Sequence, residues 1–371
     1  MLKAFLEKVT AGKDLDGEEM EAAMGVVLEG GAPEAQVAGL LMGLRCKGES
    51  VEEIVAAARA LRHRALRVET ERSPLLDLCG TGGDGSGTFN ISTAASFVVA
   101  GAGIPVAKHG NRSVSSRCGS ADVLEELGVT FPGSPEEVRS SLATSGMAFL
   151  FAPHFHGTMR QVAGVRRSLG VRTIFNVLGP LANPAGATHQ LVGVFGAPLV
   201  RPMAEALSAL GVQGAVVVHG HGGVDELSLS GPNVVAVLRH GRITEERVSP
   251  EDVGLSRSPL EALRGGEARE NAGVLRGVLA GRPGPQRDAV VFNAAAALVA
   301  AGVERSWKEA AVRAQGSIDS GRAAEVLRRL SDFSEEERQR RRLGDPCCGG
   351  GAVALASPGS RAFCPLVGVS A

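Results

Sequence analysis

Apolar positions recur at helical spacing from the start of the chain to about residue 66. Leu2–Val9, Met20–Leu28, Ala35–Leu44 and Ile54–Leu61 each repeat apolar side chains at intervals of three and four, which lays them on one helix face. Asp16, Pro33 and Ser50 stand where these helices begin. Glu18, Glu19, Glu52 and Glu53 fall in first turns, where a carboxylate favours the positive end of the helix dipole. From Leu75 the pattern changes to short apolar runs alternating with helical stretches, the signature of a largely parallel sheet. The predicted strands are Leu75–Cys79, Ile104–Ala107, Ala148–Ala152, Gln190–Phe195, Ala215–His219 and Val234–Arg239. The predicted helices between them are Ser92–Ala102, Ala121–Leu127, Pro135–Ser145, Gly157–Leu169 and Leu199–Leu210.

Val171–Pro184, rich in Gly, Pro and Asn, interrupts that rhythm and is expected to return to the helical layer. After a polar hinge at Ser249–Ser258, Pro259–Leu330 reads as helical again. The pattern therefore predicts an α/β fold: a small all-helical domain over 1–70, joined by part of 171–187, and a larger α/β domain over 71–344 with a mostly parallel central sheet. Residues 345–371 are Gly-, Ala-, Pro- and Cys-rich, lack caps and periodicity, and are expected to form a disordered tail.

Composition narrows the function classes. At 371 residues with 44% hydrophobic content and a net charge of −1, the chain supports a sizeable core and offers no global field for nucleic acid or membrane. No window approaches the roughly eighteen uncharged apolar residues of a bilayer span, and charge breaks up the N-terminal apolar residues, so no secretory signal is expected. Six irregularly spaced cysteines make no disulfide framework, and Cys347-Cys348 lacks partners for a metal site. A reducing cytoplasm fits best.

The candidate chemistry lies in two polar loops, each between an apolar run and a helix. The first runs Gly80-Thr81-Gly82-Gly83-Asp84-Gly85-Ser86-Gly87-Thr88 and on through Asn90, Ile91, Ser92 and Thr93. The second is Lys108-His109-Gly110-Asn111-Arg112 with Ser115, Ser116 and Ser120. Between Gly85 and Ala121 there is no Asp or Glu. Glycine N–H groups, hydroxyls and a helix N-terminus bind phosphate, and two such loops suggest a ligand with more than one phosphate. Only 6 of 39 basic residues are lysines, so Lys108 stands out as a compact point charge. The first loop matches G-x-G-x-x-G, but the acidic residue expected about twenty positions later is missing, and no Lys completes a Walker A loop. After Ala215–His219, the Gly-rich loop carrying Asp225 and Glu226 suits Mg²⁺, which takes one or two carboxylates plus substrate phosphates.

Taken with Gly119-Ser120-Ala121-Asp122, Arg166 through Thr173, and Gly179-Pro180-Leu181-Ala182-Asn183-Pro184, these loops resemble the anthranilate phosphoribosyltransferase family, in order, to about residue 340. That resemblance implies a nucleoside phosphorylase/phosphoribosyltransferase architecture with the active site in the cleft between the domains, usually in a homodimer. It implies transfer of phosphoribose from 5-phosphoribosyl-1-diphosphate (PRPP) to anthranilate with Mg²⁺. By the resemblance, Gly80, Gly83, Asp84, Thr88, Asn90, Ile91, Ser92, Thr93, Lys108, Asn111, Ser116 and Ser120 bind PRPP. Ser92, Asp225 and Glu226 serve the metal. Gly80, His109, Asn111, His156 and Arg166 face anthranilate, with Lys108, Arg166 and His109 closest to the chemistry. The chain departs from the family pattern at Gly157, where Pro is usual, at Gly222-Gly223-Val224, and at Cys118, where Ser is common. A pyrimidine nucleoside phosphorylase shares the glycine loop but would need a second loop built around inorganic phosphate. A non-catalytic nucleic-acid binder would want a basic groove, against an isoelectric point of about 6.7.

Overall fold

The computed structural model describes residues 1–113 and 117–343. Ser115 and Ser116 of the second loop and the 345–371 tail lie outside the described residues.

Four helices open the chain: α1 (Lys3–Thr10), α2 (Gly17–Leu28), α3 (Glu34–Lys47) and α4 (Val51–His63). Asp16 and Ser50 cap α2 and α4 through capping boxes closed by Glu19 and Glu53. Glu53 also accepts from the Leu15 N–H and from Lys47 Nζ, at 2.9 and 2.5 Å, so this fully buried carboxylate is completely partnered.

Beyond them, β1 (Leu76–Gly80), α5 (Ile91–Gly101), β2 (Val106–Gly110), α6 (Ser120–Glu126), α7 (Pro135–Ser145) and β3 (Met147–Phe151) build one half of the sheet. The short α8 (Ala152–Phe155), then α9 (Arg160–Leu169) and α10 (Phe175–Leu181), lead to β4 (His189–Gly193), α11 (Val200–Ala209), β5 (Gly214–His219), β6 (Asn233–Arg239) and β7 (Arg242–Val248). Helices α12 (Ala268–Leu279), α13 (Pro285–Ala300), α14 (Trp307–Asp319) and α15 (Arg322–Leu343) complete the described chain.

The seven strands lie in the order β3-β2-β1-β4-β5-β6-β7, parallel from β3 to β5 and antiparallel from there to β7. The mostly parallel sheet is as expected, but β7 was not: Arg242–Val248 is polar and exposed along most of its length and carries no buried stripe. Strand β2 starts later than predicted, beyond Pro105, and continues through Lys108 and His109, so these two are strand residues rather than loop residues.

Both faces of the sheet are covered, which is why its strands read as continuous apolar runs. Along β5 and β6 the side chains alternate: Val216, Val218, Val235 and Val237 join the core under α5 and α12–α15. Ala215, Val217, Ala236 and Leu238 join the core shared with α1–α4, α9, α10 and α11. Helix α10 packs against α4, and Arg62 of α4 donates to the Leu181 carbonyl at 2.6 Å. No helix among the described residues is long and apolar enough to cross a membrane.

Candidate active site

The carboxyl end of β1 becomes the glycine loop. Gly82, Gly83, Gly85 and Gly87 all have φ between 65° and 74°, where other residues are strained. The loop is held from outside. The Thr81 N–H donates to the Gly193 carbonyl at 2.9 Å, the Phe195 N–H to Thr81 Oγ1 at 3.1 Å, and the Phe89 N–H to the Leu263 carbonyl at 3.0 Å. Gly265 donates to the Gly87 carbonyl at 2.8 Å and must be glycine, because a Cβ there would stand 2.7 Å from Phe89 Cα. This closing segment, 263–265, was not among the sequence candidates. Asp84 turns inward, accepting from Ser86 Oγ at 2.7 Å and from the Asp225 N–H at 3.2 Å.

Helix α5 then starts without a side-chain cap of its own. Asn90 instead donates to the Cys118 carbonyl at 3.1 Å and accepts from Asn271 at 3.0 Å. Glu226 Oε1 accepts the Ser92 N–H at 3.0 Å, capping α5 from another loop. Ile91 and Thr93 turn buried side chains into the core, leaving Ser92 as the residue of this turn nearest the loops.

Strands β1 and β2 are in register only at Leu76–Val106, whereas β1–β4 and β2–β3 stay paired along their length. Past that pair, side chains take over the bonding. Buried Lys108 donates through Nζ to the Leu78 carbonyl and to Ser92 Oγ at 3.3 Å. The His109 N–H donates to Asp77 Oδ1 at 3.0 Å, and Asp77 Oδ2 accepts from Asn183 Nδ2 at 2.7 Å. Burial pushes the Asp77 carboxyl up to about 6, opposed by Lys108. Sequence reasoning missed Asp77 because one Asp inside an apolar run has no local signal.

Asp225 and Glu226 sit beside this cluster. Asp225 Oδ2 accepts the Gly82 N–H at 2.7 Å, and a Cβ on Gly80 or Gly193 would run into Asp225, which explains both glycines. Burial and the Asp84 charge raise Asp225, while burial and Asp225 push Glu226 up to about 8. Asp77, Asp84, Asp225 and Glu226 thus crowd around one buried ammonium, Lys108, and the raised carboxyls of Asp77, Asp225 and Glu226 mark a place where a divalent cation would favour the charged forms. Among the described residues no cluster of three or more His, Cys, Asp or Glu is spaced to hold a metal. Ser92, Asp225 and Glu226 offer one hydroxyl and two carboxylates, hard oxygen donors of the kind Mg²⁺ takes beside water and substrate oxygens.

The histidines meet behind β2. The rings of His109 and His156 are 5.0 Å apart, both buried. His109 Nδ1 lies 3.3 Å from the Gly179 carbonyl, His109 Nε2 has no partner, and the backbone of Ala182 is the polar neighbour of the His156 ring. Burial, reinforced by His156, pushes His109 down to about 3, and burial pushes His156 down to about 4. Arg166, half-buried on α9, stands 5.4 Å over the Phe175 ring, and burial lowers its pKa. On the second loop Ser120 Oγ donates to the Asn111 carbonyl at 3.2 Å, and Arg112 is paired with Asp122 at 3.0 Å and with Glu125. Arg172, given no role by the sequence, donates to the Gly83 carbonyl.

Comparison with known proteins agrees with this architecture. The helical bundle domain of a glycosyl transferase family matches residues 3–65 and its a/b domain matches residues 72–324. The anthranilate phosphoribosyltransferase of Symbiobacterium thermophilum is 54% identical over 91% of this chain and 99% of its own length. That of Pelotomaculum thermopropionicum is 51% identical over 95% and 100%. The crystal structure of the Thermus thermophilus enzyme superposes with a TM-score of 0.85 at 47% identity, covering 89% of this chain and 99% of that one. The Saccharomyces cerevisiae enzyme, solved in complex with PRPP and Mg, superposes with a TM-score of 0.82 at 28% identity over 90% and 98%. Glycine loop, strand-borne lysine, acidic pair and near-full-length identity agree, and the chain belongs to the anthranilate phosphoribosyltransferase family.

Proposed function

We propose that this chain transfers the 5-phosphoribosyl group of PRPP to the amine of anthranilate, giving N-(5-phosphoribosyl)anthranilate and diphosphate, as a cytoplasmic homodimer in tryptophan biosynthesis. The observation that carries the reading is the meeting of two unlike half-sites at the carboxyl ends of β1, β2 and β5. One is an anion cradle with a buried ammonium and surplus carboxylates; the other is a pair of buried neutral imidazoles, with Arg166 on the neighbouring α9. The yeast relative solved with PRPP and Mg, and with 4-fluoroanthranilate, supports the same pairing of ligands.

In the reaction a bond forms between the amine nitrogen and the anomeric carbon while that carbon's bond to diphosphate breaks, the electron pair leaving with diphosphate and the amine nitrogen releasing one proton to water or to the departing diphosphate. Lys108 and the glycine-loop N–H groups stabilise the charge gathering on the leaving group, the electrostatic contribution that usually dominates such steps. Gly80, Gly83, Asp84, Thr88, Asn90, Asn111 and Ser120 would line the PRPP side, together with the α5 start at Ile91–Thr93. Ser92, Asp225 and Glu226 would hold Mg²⁺, which when bound neutralises diphosphate charge. Arg166 binds the anthranilate carboxylate and orients the amine. With its Nδ1–H on the Gly179 carbonyl, His109 offers Nε2 as a lone pair, and its lowered pKa keeps it neutral beside the amine. His156, Gly80 and Asn111 complete the wall on that side.

Anthranilate fluorescence followed with PRPP and Mg²⁺ tests the proposal: signal loss dependent on both is expected. No turnover with PRPP, combined with phosphorolysis of a pyrimidine nucleoside, would overturn it.

A further inference from the structure

We propose that Arg172 is a positioning residue for the diphosphate end of the substrate, acting through the backbone of the glycine loop. The inference rests on the phosphoribosyl-transfer reading above. Arg172 lies between α9 and α10. Its guanidinium donates to the Gly83 carbonyl, and its Cζ stands 4.2 Å from the centroid of the Phe195 ring beyond β4. Its own carbonyl accepts from the guanidinium of Arg45 on α3. One residue therefore ties the helical layer, the end of β4 and the glycine loop together.

The physical consequence follows from peptide geometry. In a planar trans peptide the C=O and the following N–H point in opposite directions. Drawing the Gly83 carbonyl toward Arg172 therefore turns the Asp84 N–H away from it. Gly83, at φ 73°, occupies a conformation that glycine enters and leaves freely, so this peptide needs an external tie to keep one orientation. A guanidinium suits the task because its plane stacks on an aromatic ring while its edge still donates; an ammonium does not do both.

The tie orders the cradle before the substrate arrives and touches neither the reacting atoms nor the histidine wall. Arg172→Ala is expected to raise the PRPP KM at least about tenfold, with kcat and the anthranilate KM within about twofold of the parent. Arg172→Lys, which keeps the charge without the stack, is expected to restore little of this. In the substrate-free protein, amide exchange across residues 80–88 should accelerate in Arg172→Ala while exchange in α5 stays unchanged. An unchanged PRPP KM, full rescue by lysine, or parallel loss of both substrates together with melting temperature would overturn the inference. If the parent protein does not use PRPP at all, the functional reading fails instead, and loop exchange alone decides whether Arg172 orders the cradle.

Discussion

Glu226→Gln separates the charge at the head of α5 from its hydrogen bond. Glutamine keeps an oxygen that accepts the Ser92 N–H, so the cap on α5 survives while the negative charge goes. In the metal-free protein this carboxyl is raised from 4.5 to about 8, by burial first and then by Asp225. A folded-state pKa above the unfolded one means that the folded protein holds the proton more tightly. Stability from this group is then complete below pH 4.5 and is lost as pH rises toward 8. Each pH unit inside that window corresponds to about 1.4 kcal/mol, which sets a ceiling of about 4 kcal/mol at pH 7.5. Water at this partly exposed site screens the charge and brings the figure to roughly 1–3 kcal/mol. With unfolding entropy of about 2 cal/mol/K per residue, the variant should melt roughly 1–4 °C higher in EDTA at pH 7.5. That advantage should vanish near pH 4.5. Addition of Mg²⁺ with PRPP should raise the melting temperature of the parent and not of the variant, and the variant should lose metal-dependent turnover. Differential scanning fluorimetry at the two pH values, with a turnover assay beside it, reads all of this. A variant that is no more stable in EDTA at pH 7.5, or that responds normally to Mg²⁺ and PRPP, refutes the reasoning.

Three further outcomes are expected. Arg166→Ala should raise the anthranilate KM by roughly 30-fold or more, the loss of one charge-assisted pair, and leave the PRPP KM within about twofold; equal losses for both substrates would remove its assigned role. The lowered His156 pKa places its stability loss between pH 6.5 and about 4, as the unfolded chain takes up a proton that the folded one refuses. His156→Gln should therefore narrow its stability gap to the parent by roughly 2 kcal/mol between pH 7.5 and 5, and a gap indifferent to pH would contradict the assignment. Gly193→Ala drives a Cβ into the Asp225 carbonyl, so the acidic loop must move. We expect about 1–3 kcal/mol of lost stability and reduced turnover, and parental values in chemical denaturation and kinetics would argue against that contact.

The parts of the site legible in the sequence are those whose signal is local. Glycines repeated within a few residues, hydroxyls at a helix start and a lysine in an arginine-rich chain all mark themselves. The helical layer was legible because its caps and stripes repeat at fixed intervals. What escaped depends on residues far apart in the chain: Asp77 acquires its meaning from Asn183, Arg172 from Gly83 and Phe195, and the glycine loop from Leu263–Gly265. Strand β7 escaped because an edge strand buries little and need not alternate. The start of β2 was misplaced because Pro105 interrupts ladder bonding inside an otherwise uniform apolar run, and because Lys108 and His109 read as loop by polarity while they continue a strand.

The parting of β1 from β2 after a single registered pair has a practical corollary. The ammonium of Lys108 takes the seat on the Leu78 carbonyl that a neighbouring strand's amide would fill in a closed ladder. Its location is thus indexed to the main chain rather than to the side chains around it. On the proposed assignment of the histidines to the acceptor, retooling for a different aromatic acid would exchange the imidazole wall and leave that unzipped seam alone.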